Sequence, residues 1–197
     1  MTFSVPPGFD FITPRTNDRV GYSCAIGVQD PKLELRYHIF PLKLPPLPPG
    51  YTSVASADFN TLHVPNMLAM IQNVARAVLV EPNLLPADGV KAEFGADWGA
   101  VCRLALAPSA FADGFAECLL LALHRKDVAD AYVFFMFQDF QNAASLINSN
   151  FYTLRFRQRV GVCPNCEAII AMDAPECPKC GAQFGPEAAW KIQPIEG

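Results

Sequence analysis

The sequence predicts an α+β protein: a mainly antiparallel sheet with flanking helices over residues 1–157, then a small separate module over residues 158–197. Three patterns carry this reading. Apolar residues alternate on both sides of a turn between residues 22 and 39. Two continuously apolar runs, joined by a short polar turn, lie between 117 and 137. Helical periodicity begins near Pro65 and again after Asp139. Strands joined by short turns pair antiparallel, and the helices between and after them must pack on the sheet.

Residues 1–18 are punctuated by proline and carry no clean period. Tyr22, Cys24, Ile26 and Val28 then alternate with Ser23, Ala25 and Gly27. After Gln29-Asp30-Pro31-Lys32, Leu33, Leu35, Tyr37 and Ile39 alternate with Glu34, Arg36 and His38. This predicts a hairpin with one better-buried face, His38 taking the exposed phase. The stretch from Pro41 to Gly50 holds too many prolines for a central strand, so it should run as extended polyproline-II. Within it, Lys43 to Pro49 has the form of a ligand for a Src-homology 3 groove, although a stiff crossover between strand and helix is the simpler reading.

His63 lies just before a helix. From Pro65 onward Leu68, Ile71, Ala75 and Val78 fall on one face, and proline suits a first turn, so a helix of about four turns is expected. Asp97-Trp98-Gly99 opens a strand in which Trp98, Ala100, Cys102, Leu104 and Leu106 share a side. Glu117 to His124 and Ala131 to Phe137 are apolar throughout, which places them mid-sheet under cover on both faces, with His124 exposed at the turn. Asp139 is placed to cap a last helix running to about Asn150, with Phe140, Ala144 and Ile147 inward.

This order of elements over residues 8–152 resembles the PsbP-like α/β sandwich, an antiparallel sheet flanked by helices. The hairpin ending in Leu35-Arg-Tyr-His-Ile-Phe-Pro41, a long helix, two late strands and a terminal helix carry the resemblance. Members of that family mostly bind proteins or act as assembly factors, so the resemblance implies a binding role.

The seven cysteines form two populations. Cys24, Cys102 and Cys118 sit singly on predicted strands and read as small core hydrophobes. Cys163-Pro-Asn-Cys166 and Cys177-Pro-Lys-Cys180 are paired, with ten residues between the pairs. Each pair can curl into a tight knuckle, and two knuckles joined by a short hairpin through Ile169-Ile170 and a turn at Asp173-Ala174-Pro175 bring four sulfurs around one ion. Disulfides are not expected without a secretory signal. The prolines directly after Cys163 and Cys177 do not suit the helix start of a thioredoxin-type pair, and rubredoxin-like iron uses a much longer spacer.

The motif resembles the zinc-ribbon family in its short-spacer form, over residues 160–197. The resemblance implies one structural Zn²⁺ held by Cys163, Cys166, Cys177 and Cys180. Glu167 departs from the family, which usually has glycine there. Trp190 is expected either to close the small core or to anchor the module.

The whole chain is 51% apolar and 17% charged, which excludes a disordered polymer. No apolar run approaches the roughly 20 residues of a spanning helix, and the first residues lack a basic region followed by an apolar one, so a cytoplasmic location is expected. Arg155, Arg157 and Arg159 would share one face of an extended segment and, with Lys179, Trp190 and Lys191, invite a nucleic-acid reading. Charge opposes it: the chain carries −4, and residues 153–197 hold five basic and five acidic side chains. No acid/base pair or nucleophile has a local signature, and no glycine-rich phosphate loop is present. The expectation is a non-enzymatic zinc-containing protein-binding or adaptor protein, with nucleic-acid binding through the arginine stripe as the alternative.

Overall fold

The structure, a computed structural model, describes residues 2–13, 22, 24–29, 32–42, 59–157, 160–172, 174–185 and 188–195. The chain divides into two compact units, Met1–Phe156 and Arg157–Gly197. Residues 43–50 of the polyproline stretch, with the Lys43 to Pro49 motif, lie outside the described residues, as do Arg159 and Asp173; the expectation fails at its first residue, since Pro41 ends a strand of the main sheet, opposite Ala129, and Leu42 is buried.

The first unit contains β1 (Thr2–Phe3), β2 (Asp10–Ile12), β3 (Cys24–Gln29), β4 (Lys32–Pro41), α1 (His63–Val74), β5 (Ala75–Leu84), α2 (Ala87–Gly89), β6 (Trp98–Leu106), β7 (Glu117–Arg125), β8 (Ala129–Phe137), α3 (Phe140–Asn150) and β9 (Leu154–Arg155). An open antiparallel sheet of seven strands runs in the order β2-β3-β4-β8-β7-β6-β5. The most apolar strand takes the middle. Every residue of β8 is buried, between β4 (Leu33 opposite Phe137 through to Pro41 opposite Ala129) and β7 (Glu117 opposite Phe137 through to Arg125 opposite Ala129). Its alternate side chains feed two cores. Val133, Phe135 and Phe137 pack with Leu33, Leu35, Leu121 and the α3 residues Ala143 and Ile147. Tyr132, Phe134 and Met136 pack with Leu104, Leu120 and the α1 residues Met67, Ile71 and Val74. At about 1.5–3 kcal/mol for each large apolar side chain buried, these two layers are the main source of the unit's stability.

Asp139 caps α3 as expected, its side chain accepting from the Gln141 N–H at 2.7 Å, an arrangement worth about 1 kcal/mol. The inward face differs by one position, with Ala143 and Ile147 buried and Phe140 and Ala144 only half-buried.

The expected four-turn helix is corrected. α1 spans His63–Val74, with Met67, Ile71 and Val74 inward and Leu68 exposed, and at Ala75 (φ −88, ψ 139) the backbone becomes extended and runs straight into β5. Ala75 and Val78 therefore belong to an edge strand. The run Ala75-Arg-Ala-Val-Leu-Val80 suits a strand as well as a helix, and pairing with β6 decides the outcome.

The second unit holds β10 (Val160–Val162), β11 (Ile169–Ala171) and β12 (Gln193–Pro194) in the order β11-β10-β12. Gly161 makes this packing possible: a Cβ there would lie 2.4 Å from the Gln193 carbonyl oxygen and 2.6 Å from Met172 Sδ. The small core is Cys163, Ile170 and Cys177, with Phe184 and Ile192 against it. Trp190 does not close that core; it is 45% exposed and bridges Phe184 through the backbone.

Candidate metal centre

The two Cys-x-x-Cys segments fold into the same knuckle. In the first, the Cys163 N–H donates to the Ala168 carbonyl at 2.8 Å and the Glu167 N–H donates back to the Cys163 carbonyl at 2.9 Å. In the second, Cys177 and Ala182 make the first bond at 2.8 Å, and Gly181 and Cys177 the second at 2.9 Å. Each knuckle reverses through a left-handed residue directly after its second cysteine: Glu167 at φ 58 and Gly181 at φ 72. Glycine reaches that conformation freely, whereas Glu167 adopts it against the steric preference of an L side chain.

The knuckles bring the Sγ atoms of Cys163, Cys166, Cys177 and Cys180 within 4.8 Å of one another. Cys163 and Cys180 approach to 3.7 Å, and Cys166 and Cys177 to 3.6 Å. A tetrahedron of sulfurs about 2.3 Å from a central ion has edges of about 3.8 Å, so the cluster has the dimensions of a metal site. A disulfide, at about 2.05 Å, does not fit those separations.

Hydrogen bonds from the Asn165 side chain and the Ala182 backbone hold the Cys180 thiol down to about 6. At Cys166 the Ala168 backbone bond also favours the thiolate, but desolvation and the neighbouring sulfurs outweigh it and push the group up to about 12. A divalent cation at the centre would compensate several thiolates at once. Lys179 Nζ also approaches the Cys166 carbonyl at 3.5 Å. Four protein ligands fill a tetrahedron and leave no open position for a substrate, the pattern of a structural site.

The other singled-out residues fall elsewhere. Cys102 and Cys118 are buried in the core on the α1 side of the sheet, and Cys24 is half-buried. Arg155 belongs to the first unit and lies 3.2 Å from Glu93, and Arg157 belongs to the second unit. His38 is half-buried, its ring centroid 6.0 Å from that of Tyr132.

His124 is corrected from exposed to buried. Its Nδ1 lies 2.7 Å from the carboxylate of Asp130, itself 1% exposed, and its ring stacks on His63 at 4.4 Å. Asp130 also accepts from Asn66 on α1 at 3.2 Å. Nothing in the local sequence announces the burial, which follows from α1 lying over the end of the β7–β8 hairpin.

Arg36, with its neighbour Glu34, is also misplaced by the alternation. It has no exposed surface. Its Nε bonds Glu34 at 2.6 Å, Nη1 donates to the Phe111 carbonyl, and the guanidinium lies 5.0–5.8 Å from the ring centroids of Tyr22, Phe111 and Phe115. The loop between β6 and β7 covers what would otherwise be the polar face of β4. Aromatic residues in a loop, Phe111 and Phe115, are the available sign of it.

Compared with protein-family models, curated proteins and solved structures, the chain matches none. The PsbP-like resemblance therefore has no family match behind it. Among the described residues, no helix is long and apolar enough to cross a membrane.

Proposed function

We propose that the chain is a non-enzymatic, zinc-containing protein-binding protein in which a structural four-cysteine zinc site holds the C-terminal unit folded. The observation that supports it is the tetrahedral spacing of the four sulfurs on two matching knuckles. All-thiolate tetrahedral sites favour zinc, or iron as the chief competitor. Among the described residues, the buried apolar core of the second unit is two cysteines and one isoleucine, far short of what an independent domain of this size needs. Zinc supplies that deficit, on the order of 10 kcal/mol at neutral pH.

With its coordination sphere full, the metal has no role in catalysis and acts as a rigid fastener. It presents the surface around the knuckles, including exposed Ile169 and Trp190, in one fixed shape. Recognition by a preformed surface avoids the ordering cost that a flexible segment of this length would meet on binding.

Native mass spectrometry and metal analysis of the full chain test this reading. One zinc per chain is expected. Cys177→Ser should release it and abolish the order of residues beyond about 160, leaving the first unit folded, and should abolish retention of any protein partner bound through this unit. Iron in place of zinc, or full zinc content in the variant, would refute the assignment. Salt-dependent DNA or RNA binding lost on changing Arg155 and Arg157 would put the nucleic-acid reading in its place.

A further inference from the structure

Beside its core face, α1 carries a second stripe at helical spacing: Asn66, Ala69, Met70 and Asn73. This stripe forms one wall of a cavity of about 160 Å³, and Phe40 on β4 and Tyr132 on β8 form the other. Ala69, which has no side chain beyond Cβ, leaves the middle of the helical wall open. Tyr132 is 2% exposed, and its hydroxyl makes no hydrogen bond to any described residue. A buried hydroxyl in that condition is costly to keep. Nothing in the packing of β8 asks for it: the strand uses phenylalanine at 134, 135 and 137, and a phenylalanine at 132 would bury the same ring.

The neighbouring groups define what could meet this hydroxyl. Burial, and after it the charge of Asp130, push the Tyr132 phenol up, so it keeps its proton and has it to donate. Asp130 is not the acceptor, being engaged by His124 and by the Asn66 Nδ2. With its amide nitrogen held there, Asn66 retains a carbonyl oxygen that can accept. The Asn73 side chain has no hydrogen-bond partner among the described residues.

We propose that this cavity is a binding site for a small, uncharged, single-ring aromatic molecule carrying a carbonyl or ring-nitrogen acceptor for the Tyr132 hydroxyl. The volume matches this class, since a cavity of about 150 Å³ takes benzene. Phe40, Tyr132 and the Met70 thioether supply the contacts that aromatic rings favour. Charge excludes the alternatives. Among the described residues no charged side chain lines the cavity, so an ammonium group finds no carboxylate on its walls. An anion would lie beside buried Asp130 with no cation to offset it. The site belongs entirely to the first unit and owes nothing to the metal centre.

Titration of the full zinc-loaded chain, labelled with ¹⁵N, tests the proposal with benzamide as the probe. Saturable amide shifts are expected along residues 66–73 and around Tyr132, with a midpoint of about 0.1–1 mM for a ligand of this size. Benzoate should bind at least tenfold more weakly. Tyr132→Phe should weaken benzamide about two- to tenfold, the range of one neutral hydrogen bond, and leave toluene binding unchanged. Without ligand, the same variant should melt at the same temperature or higher, because it removes an unsatisfied group. Ala69→Leu, a good helix former on the cavity wall, should abolish binding with far-UV circular dichroism unchanged. No saturable shift up to about 10 mM benzamide, or benzamide binding indifferent to Tyr132→Phe or to Ala69→Leu, would overturn the proposal. So would benzoate binding as tightly as benzamide, or a lowered melting temperature in Tyr132→Phe, which would show that the hydroxyl has its partner within the fold.

Discussion

The two knuckles are a natural experiment in backbone strain, and Glu167→Gly is the perturbation that reads it. Glu167 and Gly181 occupy equivalent positions, with φ 58 and φ 72 and the same N–H to cysteine carbonyl bond at 2.9 Å. Holding a non-glycine residue in the left-handed region costs about 1–2 kcal/mol. Glycine removes that cost but adds about 0.5–1 kcal/mol of unfolded-state entropy. The difference leaves glycine ahead by about 0.5–1 kcal/mol, or two- to fivefold in an equilibrium constant. Removing a carboxylate from beside four thiolates acts in the same direction. On the proposed coupling of zinc binding to the folding of this unit, the gain should appear as zinc affinity. Chelator competition at fixed pH is the assay, with Gly181→Ala as the mirror test. A Cβ at Gly181 would meet only Glu176 Oε1, at 3.8 Å, so its cost is purely conformational. It should weaken zinc about two- to fivefold, the same net of about 0.5–1 kcal/mol with its sign reversed. A weaker site in Glu167→Gly, or an unchanged one in Gly181→Ala, would refute the conformational reasoning.

Two further outcomes follow from the first unit. Arg36→Met removes the cation facing Glu34, which is itself only 7% exposed, and should cost about 3–5 kcal/mol in urea unfolding. Adding Glu34→Gln should recover part of that loss, and a change below about 1 kcal/mol would mean the pair is solvated. The second concerns thiol chemistry. Burial pushes Cys102 up to about 11 and Cys118 higher still. At pH 8 the Cys102 thiolate fraction is then about one in a thousand, rising tenfold per pH unit. Alkylation of the native protein at pH 8 should spare both, while chelator should open Cys163, Cys166, Cys177 and Cys180 to the reagent. Rapid modification of Cys118 without unfolding would contradict its place in the core.

Whatever one local pattern dictates is legible in the sequence. β7 and β8 are apolar on both faces because helices or loops cover both sides, and that shows directly as unbroken hydrophobic runs. The Asp139 cap and the paired cysteines are likewise short-range rules. Where two local rules agree with different structures, tertiary pairing decides. Leu68, Ile71, Ala75 and Val78 have helical spacing, yet Ala75 and Val78 pair with Leu106 and Leu104 on β6. Local pattern misplaces Arg36 and His124 for the opposite reason: what covers them, the loop carrying Phe111 and the helix carrying His63, lies about 60–75 residues away in sequence. Alternation within a strand says which residues share a face, not what will lie over it.

The pairing of β1 with β9, Thr2 opposite Arg155 and Phe3 opposite Leu154, sets how the first unit responds to force. The strands are antiparallel, and the chain enters and leaves the unit beside the same end of the pair. Tension applied at Thr2 and Arg155 would therefore load these few hydrogen bonds in sequence, as in opening a zipper, and not all together in shear.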